Sequence, residues 1–315
     1  MNHSMTTITE PISTPFGLNE AADYAYQTWR ADKLAQAPAN VEALLVDINN
    51  AETPSATEID AVRDRCQRFN MAIYRTTGKL AKEQVLALAG CFGLRKLETP
   101  LLSGEDGITE LSVAGMADSR RGIYIPYSNK PLSWHTDGYY NPTGQWVRGM
   151  LLHCVQPAAT GGQSQLLDTD IAYIRLRDEN PDWIEALMHA EALNIPANDV
   201  ETDAVRDAET GPVFDVVDGK LAMRYTHRLR SAVWRDDPLT AAARQFLRNL
   251  LDNGDPLMLT HRLSAGEGLI CNNVLHRRTG FENSAGSGQG RLLYRARFRD
   301  RVAPNTSSAG DNHGQ

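Results

Sequence analysis

The hydrophobic positions change period several times along the chain, and each change marks an element. Leu18 to Gln36 has helical spacing with Asn19-Glu20 near its start, and Thr57 to Phe69 is amphipathic at the same period. Met71 to Thr76 is strand-like, and Lys82 to Phe92 is helical again. Between Gly104 and Asn129 short strand patterns alternate with turn residues, as in Gly122-Ile123-Tyr124-Ile125-Pro126. Trp146 to Gln156 predicts a long strand with few charges, closed by the turn Pro157 to Gly162. Asp168 to Ala192 reads as helix with a break at Pro181, and Thr210 to Tyr225 as a hairpin around Asp218-Gly219. Pro238 to Asn253 is a helix with Pro at its start. Leu257 to Leu263, Gly268 to Asn272 and Leu292 to Phe298 are the last strands.

These elements predict a mainly β protein with helical decoration. Short strands bracketing a helical insertion at about 168–251 fit a double-stranded β-helix, the jelly-roll core, with the insertion as a cover. Residues 1–16 and 303–315 are polar and expected to be flexible, which leaves 17–302 as one domain without repeats.

Composition narrows the function classes. The chain has 315 residues and a formal net charge of −7, so it has no electrostatic case for nucleic acid. The arginine-dense run Arg291 to Arg301 is a local exception, of which Arg297, Arg299 and Arg301 read as a solvated strand edge. The four cysteines, Cys66, Cys91, Cys154 and Cys271, lack Cys-x-x-Cys spacing and read as free thiols in a reducing cytoplasm. No signal core and no apolar run of about 18 residues occurs, so a membrane partner is not expected. The expected partner is a small molecule, and self-association stays open.

Candidate chemistry concentrates in Ser133-Trp134-His135-Thr136-Asp137, the one His-x-Asp in the chain. With a distant histidine, such a pair forms a 2-His-1-carboxylate triad that holds Fe(II) and leaves open coordination positions. On a strand, His135 and Asp137 would point to one face while Thr136 points away. His189-Ala190-Glu191 is the rival pair, but it lies in a helical pattern where i and i+2 diverge, so it reads as solvated surface. His153, in Leu151-Leu152-His153-Cys154-Val155, reads as a satisfied core residue.

The stretch Asn272-Asn273-Val274-Leu275-His276-Arg277-Arg278-Thr279, followed by Arg291-Leu292-Leu293-Tyr294-Arg295, resembles the closing motif of the taurine-dioxygenase-like Fe(II)/2-oxoglutarate oxygenases. That group includes clavaminate synthase and γ-butyrobetaine hydroxylase. Gly161-Gly162-Gln163-Ser164 is similar to the family's Gly-Gly-x-Thr/Ser, and Met71 to Arg75 with Leu80 to Ala89 looks like its N-terminal half. The resemblance runs from about residue 40 to residue 300.

It implies that His135, Asp137 and His276 bind Fe(II). It further implies that Arg291 and Ser164 hold the far carboxylate of 2-oxoglutarate, with Arg295 facing the active site. O₂ and 2-oxoglutarate would yield succinate and CO₂ while an unactivated C–H of the substrate is hydroxylated or desaturated. The carboxylate at Asp137 disfavours halogenation, because halogenating relatives have a small residue there. The cysteine-rich zinc module of γ-butyrobetaine hydroxylase is missing, so carnitine synthesis is not implied.

Tyr139, Tyr140, Tyr225, Arg228 and Arg295 are the candidate substrate contacts. Aromatic rings could box an ammonium and an arginine could hold a carboxylate, which points to an amino-acid-like or betaine-like zwitterion. Thr210–Trp234 and Gly104–Asn129 are the candidate lids. Two other classes stay open: a jelly-roll metal hydrolase and a non-catalytic small-molecule binding protein. The hydrolase leaves Arg291 and Ser164 without a role.

Overall fold

The computed structural model describes residues 14–99, 104–113, 124–198, 206–228, 232–284 and 290–305. Eleven strands form its two main sheets. In chain order they are β1 (Leu45–Ile48), β2 (Met71–Thr76), β3 (Leu97–Glu98), β4 (Thr109–Leu111), β5 (Leu132–His135) and β6 (Gly149–Gln156). Then come β7 (Ser164–Leu167), β8 (Leu259–His261), β9 (Glu267–Cys271), β10 (Leu275–Arg278) and β11 (Leu292–Phe298). The larger sheet has the order β1-β2-β9-β6-β11-β3, with β4 also on β11. The smaller has the order β8-β7-β10-β5. Apart from the parallel pair β1–β2, both sheets are antiparallel.

Alternation decides which side chain meets which layer. Met71, Ile73, Met150, Leu152, Leu166, Leu259, Leu269 and Leu293, drawn from both sheets, form the jelly-roll core between them. Ala72, Tyr74, Leu151, Ile270, Ala296 and Phe298 face outward beneath α2 (Ala56–Phe69) and α3 (Lys82–Cys91). On the other side, Trp134, Leu167 and Leu275 pack under α4 (Thr169–Glu179), α5 (Pro181–Met188) and α6 (Pro238–Asn253). α1 (Glu20–Ala35) completes the six α-helices among the described residues.

Local chemistry sets the boundaries. Asn19 accepts from Ala22 N at 2.9 Å and starts α1. Ser55 and Glu58 form a capping box at α2, which stops at Asn70 in the left-handed conformation with φ 58°. The hairpin Phe214–Val217/Lys220–Met223 turns on Asp218 (φ 51°) and Gly219 (φ 68°), as its Asp-Gly predicts.

Four expectations need correction. Ile125–Tyr127 is a 3-10 turn rather than a strand, because Pro126 fixes φ and offers no N–H to a ladder. α5 ends at Met188, so His189 and Glu191 are exposed in a turn, not on a helix. Phe16 belongs to the segment expected to be flexible, yet its ring is buried edge-on against Trp29 and Tyr173. Ala303, expected in the flexible tail, donates its N–H to Phe92 O at 2.8 Å. The remainder of both termini, residues 1–13 and 306–315, lies outside the described residues. So do 114–123 and 229–231 of the two candidate lids.

Candidate active site

β5 delivers His135 and β10 delivers His276, and the antiparallel register sets the two opposite each other. Their rings lie 4.3 Å apart between centroids. His135 Nδ1 is 2.8 Å from Ser133 O and His276 Nδ1 is 2.9 Å from Val274 O. A carbonyl can only accept, so each Nδ1 carries a proton, and Nε2 is the nitrogen left to bind a metal. The two Nε2 atoms thus serve one spot, with each ring oriented by a backbone carbonyl as in metal-binding histidines.

Asp137 reaches that spot by a turn, not along the strand as the alternation argument had it. β5 ends at His135, and the chain then bends through Gly138 at φ 65°, where a Cβ would meet Val147 Cγ2 at 2.5 Å. Asn273, itself left-handed at φ 56°, clamps the turn. Its Oδ1 accepts from Asp137 N at 2.8 Å, while its Nδ2 donates to Asp137 O and Val147 O. One ligand atom each from His135, Asp137 and His276 then lies within 4.8 Å of the others. No pairing rule exposes Asn273 from sequence; the Asn-Asn before Val274 was the available signal, since Asn tolerates the left-handed region.

The electrostatics suit a metal ligand set. Burial alone would raise the Asp137 carboxyl, but Arg295, 3.2 Å from Oδ1, and His135 hold it well below the usual carboxylate range. Asp137 Oδ2 is buried and has no hydrogen-bond partner among the described residues. Burial, and then the neighbouring His135, bring His276 down to about 4, so it stays neutral.

Arg295 and Arg297 on β11, and Arg291 just before it, lie on the inner side of the sheet. Arg295 pairs with Asp137. Arg291, 6% exposed, lines a narrow pocket with Gly162, Ser164, Cys154 and Leu293. Gly162, at φ 72°, lets the guanidinium lie close, since a Cβ there would sit 3.4 Å from Arg291 Nε. Among the described residues no side-chain hydrogen bond satisfies that guanidinium, which has only the Phe281 ring 5.0 Å from Cζ. Burial brings Arg291 down to about 10, still charged at neutral pH. Arg297 overturns the solvated-edge reading: it is 2% exposed, bridged to Glu98 at 2.6 Å and bonded to the Tyr140 hydroxyl. Arg301 is also drawn inward, to Leu221 O and Asn70 Oδ1.

The substrate candidates divide. Thr226 pairs with His135 across an isolated bridge, so Thr226 and Arg228 share the His135 face. Both lie beside the Tyr139 hydroxyl, and the Tyr139 ring stands edge-on to His135 at 6.4 Å and to Tyr140 at 5.3 Å. Tyr225 faces the other way, its hydroxyl 3.0 Å from His227 Nδ1 and its ring against Trp234. Tyr139, Tyr140, Arg228 and Arg295 therefore gather on the metal side and Tyr225 does not. The candidate lid Thr210–Trp234 runs beside β5 through this bridge.

Comparison with known proteins places the chain in a family. Residues 32–297 match the family model described as taurine catabolism dioxygenase TauD, TfdA family. The chain belongs to the TauD/TfdA dioxygenase family. Among curated proteins of this kind, a uridine-5'-phosphate dioxygenase from an Amycolatopsis species is 34% identical over 163 residues. That alignment covers 48% of this chain and 55%, about half, of the relative. A protein of the same name from a Streptomyces species is 31% identical over 216 residues, covering 64% of this chain and 74% of the relative. The fold likeness extends to AAD-2, solved with Mn(II) and N-oxalylglycine, at a TM-score of 0.58 and 17% identity, over 83% of this chain and 97% of that one. As a TauD/TfdA-family jelly roll, the chain has the architecture expected from its strand pattern.

Proposed function

We propose that this chain is an Fe(II)- and 2-oxoglutarate-dependent dioxygenase that oxidises a C–H of a small anionic molecule, with residues 17–302 as one catalytic unit. The observation that carries the reading is Asp137 Oδ2, without a hydrogen-bond partner among the described residues, beside the Nε2 atoms of His135 and His276. Arg291, whose guanidinium has no side-chain hydrogen bond among the described residues, lies on the same inner surface. His135, Asp137 and His276 would hold iron, and Arg291 with Ser164 the far carboxylate of the cosubstrate. Iron and 2-oxoglutarate together supply the oxidising power, which no side chain can. The protein's own part is positional. Asn273 fixes the Asp137 turn, Arg295 keeps the carboxylate ionised, and Tyr139 and Tyr140 wall the substrate side. A zinc hydrolase would use the same three ligands but gives Arg291 nothing to bind.

An anionic substrate is better supported than a betaine. The Tyr140 ring already faces Arg206 at 5.5 Å and Arg297 at 5.8 Å, and the Tyr139 hydroxyl meets Arg228, so no ammonium seat is left between them. The buried carboxylates Asp137 and Glu98 are each bridged to an arginine. The relatives named for uridine-5'-phosphate support a nucleoside monophosphate as the first candidate. Free thiols at Cys66, Cys91, Cys154 and Cys271 suit a reducing compartment, so the cytoplasm is the proposed location. No helix among the described residues is long and apolar enough to cross a membrane.

The test is succinate release by the Fe(II)-loaded protein with 2-oxoglutarate and O₂. The panel contains uridine 5'-monophosphate, uridine, amino acids and small betaines. Stimulation by the monophosphate and not by uridine is expected. An anaerobic sample that shows no visible charge-transfer band with Fe(II) and 2-oxoglutarate, and releases no succinate with any compound, overturns the reading.

A further inference from the structure

One hydroxyl on the metal side has a hydrogen-bonding capacity that the protein does not use. Arg297 Nη1 donates to the Tyr140 hydroxyl oxygen at 3.0 Å. A guanidinium can only donate, so the phenolic proton is left for a different acceptor. Among the described residues no group accepts it. A buried support aims this hydroxyl. Glu98 faces Arg297 across the β3–β11 pairing. Its carboxylate accepts from Arg297 Nε at 2.7 Å and Nη2 at 3.0 Å, the two-pronged geometry that fixes a guanidinium plane. It also accepts from Asn141 Nδ2 at 3.2 Å, so the residue after Tyr140 is anchored to the same group.

The strand then fixes where the hydroxyl stands. Arg295 and Arg297 share a face of β11, with Cα atoms about 7 Å apart. Arg295 holds Asp137 and Arg297 holds Tyr140, so neighbouring side chains of one face carry the ligand carboxylate and the phenol. The Tyr140 side chain is only half-buried, which leaves it within reach of a bound molecule. The surrounding charge is positive. Arg206 Cζ lies 5.5 Å from the Tyr140 ring centroid, and its side chain donates to the carbonyls of Pro196 and Asp207, which leave its charge unneutralised. An O–H donor beside such a cation favours a negative acceptor over a neutral one.

We propose that Tyr140 determines substrate specificity by donating its hydroxyl proton to an oxygen of the substrate's anionic group, with Glu98 as a positioning residue that acts through Arg297. The identity of that group as a phosphate rests on the proposed function; the free donor and its aim do not.

The experiment measures binding by calorimetry, without O₂, to the full chain loaded with Fe(II) and 2-oxoglutarate. Uridine 5'-monophosphate is the probe and uridine its uncharged counterpart. The monophosphate should bind more tightly than uridine. Tyr140→Phe should weaken the monophosphate about tenfold, as one hydrogen bond to a charged acceptor is lost, and leave uridine nearly unchanged. Glu98→Gln should weaken it less and add little to Tyr140→Phe, because both act through one hydroxyl. The visible charge-transfer band should be the same in every variant, which separates a lost contact from a lost site. No binding of the monophosphate by the unaltered protein, equal losses for monophosphate and uridine, an unchanged affinity in Tyr140→Phe, or loss of the band in that variant would overturn the role of Tyr140. Losses that add in the double variant would overturn that of Glu98. If the unaltered protein shows no band but Tyr140→Phe still weakens the monophosphate selectively, the oxygenase reading falls and the role of Tyr140 stands.

Discussion

Two buried clusters of charge lie within this fold, and they are finished differently. One joins α1, α2, α4 and the end of β11. There Lys33 Nζ meets Asp168 at 2.7 Å, Asp170 at 2.8 Å and Arg68 O at 2.9 Å. Asn70 Nδ2 bonds both carboxylates, and Asn70 Oδ1 accepts from Asn272 and Arg301. None of its buried side-chain atoms is left without a partner among the described residues. The other cluster is His135, Asp137, His276 and Arg295, where Asp137 Oδ2 and Arg295 Nε are both buried and unsatisfied. Buried polar groups are normally satisfied, because an orphan costs about 1–3 kcal/mol. A saturated cluster braces; an unsaturated one is waiting for something the chain does not contain.

The largest effect should come from removing ligand atoms at the unsaturated cluster. His276→Ala and Asp137→Ala are expected to lower turnover by at least about a thousandfold, on the order of 4 kcal/mol. His276→Ala should leave the metal-free melting temperature nearly unchanged, whereas Asp137→Ala should lower it, because it strands the buried Arg295 without its carboxylate. Fe(II) binding by competition with a coloured chelator, read beside thermal melts, checks both halves. A His276→Ala variant that bound Fe(II) normally and turned over would break the assignment.

The saturated cluster should behave the opposite way. Lys33→Met strands Asp168 and Asp170 against each other in the interior, at a cost of about 3–5 kcal/mol of folding free energy. The folded fraction should keep its turnover per iron. Urea unfolding coupled to active-site titration separates these, and a variant that lost turnover without losing stability would erase the contrast between the two clusters.

Much of this contrast is visible in the sequence only on one side. The functional cluster is legible because its residues have fixed spacings: His135-x-Asp137, a distant His276, and Arg291 four before Arg295. Strands and helices with clean periodicity, such as Met71–Thr76 and Pro238–Asn253, match the structure to the residue. The bracing cluster is illegible, since Lys33, Asn70, Asp168, Asp170 and Arg301 come from four elements whose meeting depends on the whole topology. Arg297 shows the same limit. Nothing in its flanking residues announces Glu98, 199 positions away, so an arginine on a strand reads as solvated. Likewise Asp137 looks like a strand residue until Gly138 and Asn273 are seen to fold a turn around it.

Arg291 tests whether an unsatisfied cation outside the metal set is functional too. Arg291→Ala is expected to raise the 2-oxoglutarate requirement about a hundredfold, near 3 kcal/mol, as a buried carboxylate loses a charged partner. Maximal turnover at saturating cosubstrate should change much less. If Arg295→Ala instead raised that requirement while Arg291→Ala did not, the two arginines would exchange roles.

His153 offers a saturated group whose effect can be read by pH. Leu80 N donates to its Nε2 at 3.1 Å, so Nδ1 bears the proton and donates to the Tyr74 hydroxyl at 3.1 Å. Burial lowers its pKa to about 4. The unfolded chain binds a proton near pH 6.5 and the folded chain does not, so stability falls as pH drops below 6.5 and keeps falling until about 4. Between pH 6.5 and 5 the loss should be on the order of 2 kcal/mol. His153→Gln, which cannot take up that proton, should flatten this slope in urea titrations while lowering stability at pH 7. An unchanged slope would mean that another group drives the acid sensitivity.

Ser164 should give the smallest effect, and it tests the pocket most finely. Its backbone is fixed by two neighbours, His261 on β8 and Arg278 on β10, so the side chain can change without moving the strand. Ser164→Ala removes one hydroxyl from the pocket that Arg291 lines. One hydrogen bond to a carboxylate contributes about 1 kcal/mol, so the 2-oxoglutarate KM should rise about fivefold with kcat unchanged. Ser164→Thr keeps the hydroxyl and should restore most of that loss if the added methyl fits beside Leu263. Because Arg291 remains, the double variant with Arg291→Ala should lose less than the sum of the two singles, since both act on one carboxylate. Strict additivity would mean that the hydroxyl and the guanidinium hold different groups, and the pocket would then need a second ligand atom to explain Ser164.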